Sequence, residues 1–305
     1  MLKFIGKDSK IGTVMNKMRL SLNRIKRKYF PLIKSLQTAL LLITGLAGYM
    51  SARCPVHNIP TVLGLTASLL LSISGSTVLN MWYDRDIDAI MPRTSKRPLS
   101  TGETKPKEAL IFGLIISVIG VTWALLLDPL YGVIIFAGLF FDVVVYTIWL
   151  KRRTAWSIIW GGISGGMPVL AGRVLGIGHL DWVGVALALG VLFWIPTHIL
   201  TFSIRYHDDY QKAKVPTFPS TYSFQTTRLI IAISSVLATI AFGAASYGVG
   251  LTWGFLRLLV VLSTGLFILA VQSLRSPSER ITFGLFKYAS LYMLSAMLLM
   301  FFAGI

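Results

Sequence analysis

Nine long apolar runs, separated by shorter polar or basic connections, constrain this chain more than any other feature of its sequence. Most of the runs are close to the roughly 20 residues that an α-helix needs to cross a lipid bilayer. They cover residues 36–52, 61–80, 109–127, 129–150, 157–177, 182–204, 228–249, 253–273 and 284–303. We therefore predict an all-α, polytopic membrane protein with nine transmembrane helices.

The composition excludes a soluble enzyme, a disordered chain and a disulfide scaffold. Only 13% of the 305 residues are charged, against about 25% in typical soluble domains. So few polar groups could not cover the exterior of a water-soluble chain of this length, and the single cysteine, Cys54, cannot form an internal disulfide. Residues 1–34 form a basic N-terminal segment, and residues 35–305 form the predicted transmembrane domain.

The net charge of +17 lies mostly on one side of the predicted bundle. Such a charge would suggest nucleic acid in a soluble protein, but here the basic residues lie between apolar runs and indicate topology and anionic lipid headgroups. Of the 29 Lys and Arg residues, all but Arg53, Arg173 and Arg257 precede the first run or follow an even-numbered run. For a cell-membrane protein, the positive-inside rule then predicts a cytoplasmic N-terminus and an external C-terminus. We expect no nucleic-acid partner, because the basic residues are accounted for by the membrane topology.

Three oxygen-bearing side chains follow one another at the end of the second run. If the helix continues past its membrane end, Asn80, Asp84 and Asp88 fall at i, i+4 and i+8 on one face, whereas Asp86 points away. Clustered carboxylates repel unless a cation holds them, and oxygen ligands with substrate phosphates suit Mg²⁺. A solvated helix end with Asp–Arg pairs is the alternative interpretation.

Three cations, Arg93, Lys96 and Arg97, follow these acids directly. An Arg side chain matches phosphate oxygens in a forked geometry, and Lys acts on them as a point charge. Carboxylates with a metal, followed by Lys and Arg, are what a diphosphate requires. An ordinary positive-inside loop would have the same charges.

A second acid pair, Asp208 and Asp209, follows the sixth run, flanked by Arg205 and Lys212. Carboxylates placed opposite the first set would hold a second Mg²⁺, and two metal sites would prepare a diphosphate to leave. An isolated acid pair is a weak signal by itself, and its equivalent position after a span strengthens it.

A third cluster, Lys151, Arg152 and Arg153, ends the fourth run. Three cations at a helix end are most often lipid anchors, and diphosphate binding is the sharper alternative. Tyr146 lies about one turn inside the membrane, where its ring could stabilise an allylic cation or simply pack in the core.

Two further ionisable residues fall inside predicted spans. Asp142 lies in the fourth run and His198 in the sixth. Because ionisable groups are costly in lipid, we expect Asp142 to face the bundle interior. His198 is a functional candidate on the same ground, and a histidine hydrogen-bonded to a neighbouring helix is the alternative.

Three segments together resemble the UbiA superfamily of intramembrane prenyltransferases. The segment NMWYDRDIDAIMPRTSKRPLSTG (80–102) is similar to the first motif of that superfamily, in the form typical of the subfamily that farnesylates protohaem IX. YTIWLKRRT (146–154) resembles the same subfamily. So does the spacing of its later motif, which runs through Trp194, His198, Asp208, Asp209, Tyr210, Val215 and Pro216. Lys214 departs from it, since the family has Gly before the Val-Pro pair.

The resemblance implies a Mg²⁺-dependent prenyltransferase of the UbiA-like fold, in which the nine transmembrane helices surround a central cavity. Its substrates would be farnesyl diphosphate and protohaem IX, with haem as substrate and not cofactor, and its surroundings membrane lipids. The implied Mg²⁺–diphosphate ligands are Asn80, Asp84, Asp88, Asp208 and Asp209. The implied diphosphate contacts are Arg93, Lys96, Arg97, Lys151 and Lys212, and the other implied site residues are Tyr146, Arg152, His198 and Arg205.

Two other functions fit parts of the same pattern. One is the same chemistry on another acceptor, such as a quinone precursor or a glycerol lipid. The other is a transporter, which needs charges along a path across the membrane; here the acids cluster at one face, which disfavours it.

Overall fold

The computed structural model describes residues 29–52 and 58–302, and every regular element within these ranges is helical. A short 3₁₀ turn, Phe30–Ile33, precedes the first helix. In chain order the helices are α1 (Ser35–Met50), α2 (Ile59–Tyr83), α3 (Arg85–Ile90), α4 (Pro106–Leu127), α5 (Pro129–Phe140, continuing as a π-helical segment, Phe141–Leu150), α6 (Ser157–Ile177), α7 (Trp182–Arg205), α8 (His207–Lys212), α9 (Phe218–Thr221), α10 (Phe224–Val249), α11 (Trp253–Arg275) and α12 (Glu279–Phe302).

Eight helices of the described ranges are long and apolar enough to cross a membrane, namely α2, α4, α5 with its π-helical continuation, α6, α7, α10, α11 and α12. The remaining predicted span, the first run (36–52), corresponds to α1, whose 16 residues extend about 24 Å, less than the roughly 30 Å hydrocarbon core of a bilayer. The all-α, multi-pass architecture is thus confirmed, and the count of nine spans stays a prediction. Most of the predicted basic segment, residues 1–28, lies outside the described residues.

Local sequence signals begin and end the long helices. Asp128 and Asp181 cap α5 and α7, accepting backbone N–H bonds from Tyr131 at 2.7 Å and Gly184 at 2.8 Å. Prolines occupy the first turn of α2, α4 and α5, where a missing N–H is harmless. Gly178 ends α6 in the left-handed conformation.

The crossing of α1 and α6 depends on close backbone contact. A Cβ atom at Gly48 would lie 2.0 Å from the carbonyl oxygen of Val169, and one at Gly172 would lie 1.9 Å from that of Gly45. Only glycine allows this approach, as in other closely packed membrane helices. Helix α12 contacts both α1 and α7 and so closes the bundle between its first and sixth spans.

Because successive spans reverse direction, the connections after α2, α5, α7 and α11 lie at one end of the molecule. We call this the basic end, since these connections carry the clustered Lys and Arg residues. The connections after α1, α4, α6 and α10 lie at the opposite end.

Candidate active site

A cavity of about 160 Å³ lies at the basic end, between the start of α1, helices α2 and α3, and the π-helical segment. Charged and polar side chains dominate its lining. The lining residues are Lys34, Gln37, Asn80, Met81, Asp84, Ile87, Asp88, Met91, Arg93, Arg97, Asp142, Tyr146, Thr147, Lys151 and Tyr210.

The first acid motif lines this cavity. Helix α2 ends at Tyr83, but the Asp84 N–H donates to the Asn80 carbonyl at 2.9 Å and the Asp88 N–H to the Asp84 carbonyl at 2.8 Å. The i+4 repeat therefore continues into α3, and Asn80, Asp84 and Asp88 reach the same cavity. Asp86 points outward, as its position on the helical period predicts, and its side chain is 59% exposed.

Two of the cavity carboxylates, Asp84 and Asp88, are buried and paired with cations. Lys151 donates to Asp84, and Arg97 donates to Asp88 at 2.5 Å. One oxygen of Asp84, Oδ1, is buried and accepts no hydrogen bond from the described residues, and Nη2 of Arg152 lies 3.7 Å from it. A buried carboxylate oxygen without a donor is costly, and a bound cation would compensate for the missing donor.

The lining holds four cations and three acids, and burial together with these charges shifts the pKa values of two lysines. Burial by itself lowers the pKa of Lys151, but Tyr146 and Asp84 raise it by more, so that this lysine stays charged. Burial, reinforced by Arg97 and Lys151, lowers the pKa of Lys34 to about 8. Lys34 was not among the residues predicted from the sequence, because nothing in the basic N-terminal segment separates it from its neighbours.

The π-helical segment brings Asp142 and Lys151 onto one face. Nine residues rotate an α-helix by about two and a half turns, which would put these side chains on opposite faces. Hydrogen bonds between residues five apart widen the helix, so nine residues make about two turns. Both side chains consequently line the cavity, together with Tyr146 and Thr147.

Asp142 faces the bundle interior, as expected for an acid within a span. It accepts hydrogen bonds from Ser76 and from Nδ2 of Asn80, the latter at 2.8 Å. Thr147 donates to Oδ1 of Asn80 at 2.9 Å. Since a carboxylate only accepts, Asp142 determines which way the Asn80 amide faces.

The structure does not bring the second acid pair onto the cavity lining. Asp208 is exposed and Asp209 half-buried on the six-residue helix α8, whereas their neighbour Tyr210 lines the cavity. Successive side chains of a helix diverge by about 100°, so the orientation of Tyr210 turns both carboxylates away. The two sets of acids therefore do not face each other across this cavity.

The other predicted site residues are divided between the lining and the surface. Arg93, Arg97, Lys151 and Tyr146 line the cavity, whereas Lys96 and Lys212 are exposed. Arg152 instead binds Asp86 through two nitrogens, at 2.6 and 2.7 Å, and this hydrogen-bonded pair lowers the pKa of Asp86.

Two predicted substrate contacts lie on α7 and its end. The Nδ1 atom of His198 is hydrogen-bonded to Oγ of Ser290 on α12 at 3.1 Å. This matches the alternative interpretation, in which His198 is bonded to a neighbouring helix. The guanidinium of Arg205 lies 3.9 Å from the ring centre of Phe283. Neither residue is on the cavity lining.

The donor set fits magnesium. Within residues 29–52 and 58–302, no three His, Cys, Asp or Glu side chains lie close enough to hold a metal by themselves. Mg²⁺, however, is commonly held by one or two carboxylates while phosphates and waters supply the other ligands. Asn80, Asp84 with its unpartnered Oδ1, and Asp88 provide such a partial set.

A multi-pass helical bundle with this cavity defines a membrane protein whose charged site suits an anionic ligand carrying a metal ion. The model of the UbiA prenyltransferase family matches residues 41–300, and the chain belongs to that family. This confirms the family predicted from the three sequence segments.

Two similar relatives are both called protoheme IX farnesyltransferase. The one from Archaeoglobus fulgidus is 42% identical over 85% of this chain and 91% of its own length, and the one from Korarchaeum cryptofilum is 39% identical over 85% and 87%. Among solved structures, a digeranylgeranylglyceryl phosphate synthase is similar with a TM-score of 0.78, at 20% identity over 92% of this chain and 99% of that one.

A UbiA homologue from Archaeoglobus fulgidus, solved with GPP and Mg²⁺, is also similar. Its TM-score is 0.69, at 15% identity over 90% of this chain and 99% of that one. At these identities, the solved structures establish the fold alone.

Proposed function

We propose that this protein transfers the farnesyl group of farnesyl diphosphate to a vinyl group of protohaem IX, giving haem O. The observation that carries the proposal is the set of buried carboxylate–cation pairs around the cavity, with Asp84 on Lys151 and Asp88 on Arg97. The relatives called protoheme IX farnesyltransferase support the acceptor.

The paired charges suit a diphosphate that arrives with Mg²⁺. Asn80, Asp84 and Asp88 would hold the metal ion, which when bound would neutralise charge on the leaving diphosphate. Lys151 and Arg97 would then exchange their carboxylate partners for diphosphate oxygens, with Arg93 and Lys34 as further cations on the lining. Lys151, Arg97, Asp84 and Asp88 would each keep an opposite charge as partner, so the exchange would leave none of these four groups unpaired.

The reaction balances with one water. The bond between C1 of farnesyl and the diphosphate oxygen breaks, and diphosphate leaves with the electron pair. The haem vinyl group attacks C1, and water adds to the resulting cation and loses a proton, leaving a hydroxyethylfarnesyl side chain. The Tyr146 ring lies beside Lys151, with Nζ 5.8 Å from the ring centre, where its face could stabilise the allylic cation.

We propose that Asp208 and Asp209 belong to the same site as ligands of a second metal ion. What supports this is their position beside Tyr210, which lines the cavity. Asp208→Asn and Asp209→Asn should each weaken metal-dependent binding of farnesyl diphosphate. Unchanged binding in both variants would restrict metal binding to the first motif.

We also propose that the basic end faces the cytoplasm, because the clustered Lys and Arg follow the positive-inside rule. A reporter fused to the C-terminus should be active only outside the cytoplasm. Activity only inside the cytoplasm would contradict this orientation.

The test of the proposed function is farnesyl transfer by the purified full chain. With farnesyl diphosphate, Mg²⁺ and protohaem IX, mass spectrometry should detect haem O. A quinone precursor and a glycerol phosphate lipid, offered separately, should give no prenylated product. Prenylation of one of these with no change to haem would overturn the acceptor while leaving the diphosphate chemistry intact.

A further inference from the structure

Aromatic rings form a continuous series of stacked and tilted contacts along the facing sides of α7 and α12. Trp194, His198, Phe202 and Tyr206 follow each other at four-residue intervals, so they share one face. The His198 ring is stacked on Trp194 at 4.8 Å and on Phe286 at 4.5 Å. We call these rings, with Phe283 stacked on Phe286 at 6.0 Å, the ring wall.

The ring wall is held in place by both helices. The indole N–H of Trp194 donates to the Ala289 carbonyl at 2.7 Å, and His198 is bonded to Ser290. Phe202 lies 4.5 Å from Tyr206 and 5.8 Å from Phe286. All six rings are half-buried, so the wall retains accessible surface.

Three cations lie over the ring wall toward the basic end. The guanidinium of Arg205 is 3.9 Å, and Nζ of Lys287 is 4.6 Å, from the centre of the Phe283 ring. Arg93 lies 4.8 Å from the centre of the Phe202 ring. In the part of the chain that the structure describes, none of the three forms an ion pair with a carboxylate.

Arg93 joins the ring wall to the cavity. Its side chain lines the cavity and also covers Phe202 and Tyr206. A flat ligand on the wall would therefore lie next to the place where a diphosphate binds. The wall extends over 12 residues of α7, about 18 Å, which is far longer than the single ring of a quinone precursor.

We propose that the ring wall binds the acceptor, a planar conjugated macrocycle with two carboxylates, whose carboxylates contact Arg205 and Lys287. This rests on the proposed function and assigns its acceptor site. Aromatic rings that retain accessible surface favour contact with a flat π-system, and Arg and Lys side chains without an ion-pair partner favour carboxylates. Acyl chains have no π-system to match these rings, so a lipid phosphate accounts only for the cations.

The experiment measures binding of protohaem IX to the full chain in nanodiscs, by its visible absorption. The test variant is Arg205→Gln with Lys287→Gln. The matched control, Arg275→Gln with Arg280→Gln, removes two exposed cations from the same end. The test variant should bind protohaem IX at least about tenfold more weakly, whereas the control should stay within about twofold of wild type.

A second ligand separates carboxylate recognition from other effects. Protohaem IX dimethyl ester, which lacks the two charges, should bind wild type about as weakly as protohaem IX binds the test variant. Phe202→Leu with Phe286→Leu should weaken both ligands, whereas Phe136→Leu, an exposed ring on α5, should weaken neither. Thermal unfolding and farnesyl diphosphate binding identify variants that fail to fold.

Several outcomes would overturn the proposal. The carboxylate contacts would be contradicted by either of two results. One is wild-type affinity for protohaem IX in the Arg205/Lys287 variant, and the other is that wild type binds the dimethyl ester as tightly as protohaem IX. Loss of phosphatidylglycerol binding alone in that variant would make the cations lipid anchors. If wild type makes haem O while the wall variants bind and react as wild type does, only this inference fails; if wild type makes no haem O, the proposed function itself fails.

Discussion

Buried ion pairs lie at both ends of this bundle, and they differ in how completely they are satisfied. At the opposite end, Arg173 on α6 binds Asp181 through Nε at 2.8 Å and Nη2 at 2.6 Å, and donates through Nη1 to the Ser51 carbonyl at 2.8 Å. At the basic end, Asp84 and Asp88 are paired around a cavity, and Oδ1 of Asp84 has no hydrogen-bond partner among residues 29–52 and 58–302.

The difference separates a structural ion pair from a binding site. Arg173 ties the end of α1 to the connection before α7, and Asp181 at the same time caps α7. The cavity is less completely paired. Oδ1 of Asp84 accepts no hydrogen bond, and Lys34 and Arg93 on the lining form no ion pair within the described residues. We infer that the opposite end contributes stability and that the basic end binds a charged ligand.

The largest expected effect is on activity at the basic end. Asp84→Asn removes a metal ligand, so turnover per folded molecule should fall about a thousandfold. Because the change also leaves Lys151 without its carboxylate partner, thermal unfolding is measured in parallel and turnover is referred to the folded fraction. Asp86→Asn is the matched control on the exposed side of the same motif and should stay within about tenfold of wild type. Activity of Asp84→Asn within a few-fold of wild type would make the motif a solvated helix end.

The opposite end should show the reverse pattern. Arg173→Met leaves the Asp181 carboxylate without its partner and should lower the free energy of unfolding by about 3 kcal/mol. Turnover per folded molecule should be unchanged. Thermal unfolding and active-site titration together measure both quantities, and a loss of turnover in the folded fraction would break the comparison.

A smaller loss of turnover is expected from changes at Asp142, the cavity acid that lies within a membrane span. Asp142→Ala removes the acceptor that orients the Asn80 amide, and a lost charge-assisted hydrogen bond should lower turnover at least about tenfold. Asp142→Asn can still accept a hydrogen bond from Asn80 and should keep most of the activity. Equal loss in both variants would mean that the negative charge, not the hydrogen bond, is what matters.

The smallest effect concerns pH. The pKa of Lys34 is lowered to about 8, so the side chain is charged below pH 8 and loses its charge as pH rises through 8. Diphosphate binding favours the charged form, so affinity should fall about tenfold between pH 7 and 9. Lys34→Arg stays charged and should flatten this dependence. Identical pH profiles for both proteins would remove Lys34 from the binding site.

The first acid motif was predictable because its spacing follows the helical period. Asn80, Asp84 and Asp88 line one cavity since the i+4 hydrogen bonds continue through the junction between α2 and α3. The membrane bundle was also predictable from the sequence. Bilayer thickness sets the length of the apolar runs, and the positive-inside rule sets which connections carry Lys and Arg.

Features that depend on departures from regular structure could not be predicted. The π-helical segment alters which residues share a face with Lys151, and a 3.6-residue period cannot reveal it. The orientation of Asp208 and Asp209 depends on the new helix that begins after Tyr206. Lys214, which stands where the family has Gly, adopts a φ of 54°, the left-handed conformation that glycine accepts without strain.

The most direct test is whether the basic-end cavity binds farnesyl diphosphate through a metal ion. Titration calorimetry with a non-reactive farnesyl diphosphate analogue should show at least about a hundredfold weaker binding in EDTA than in Mg²⁺. Asp84→Asn should abolish that difference, and Arg173→Met should keep it. Equal affinity of wild type with and without Mg²⁺ would contradict the account.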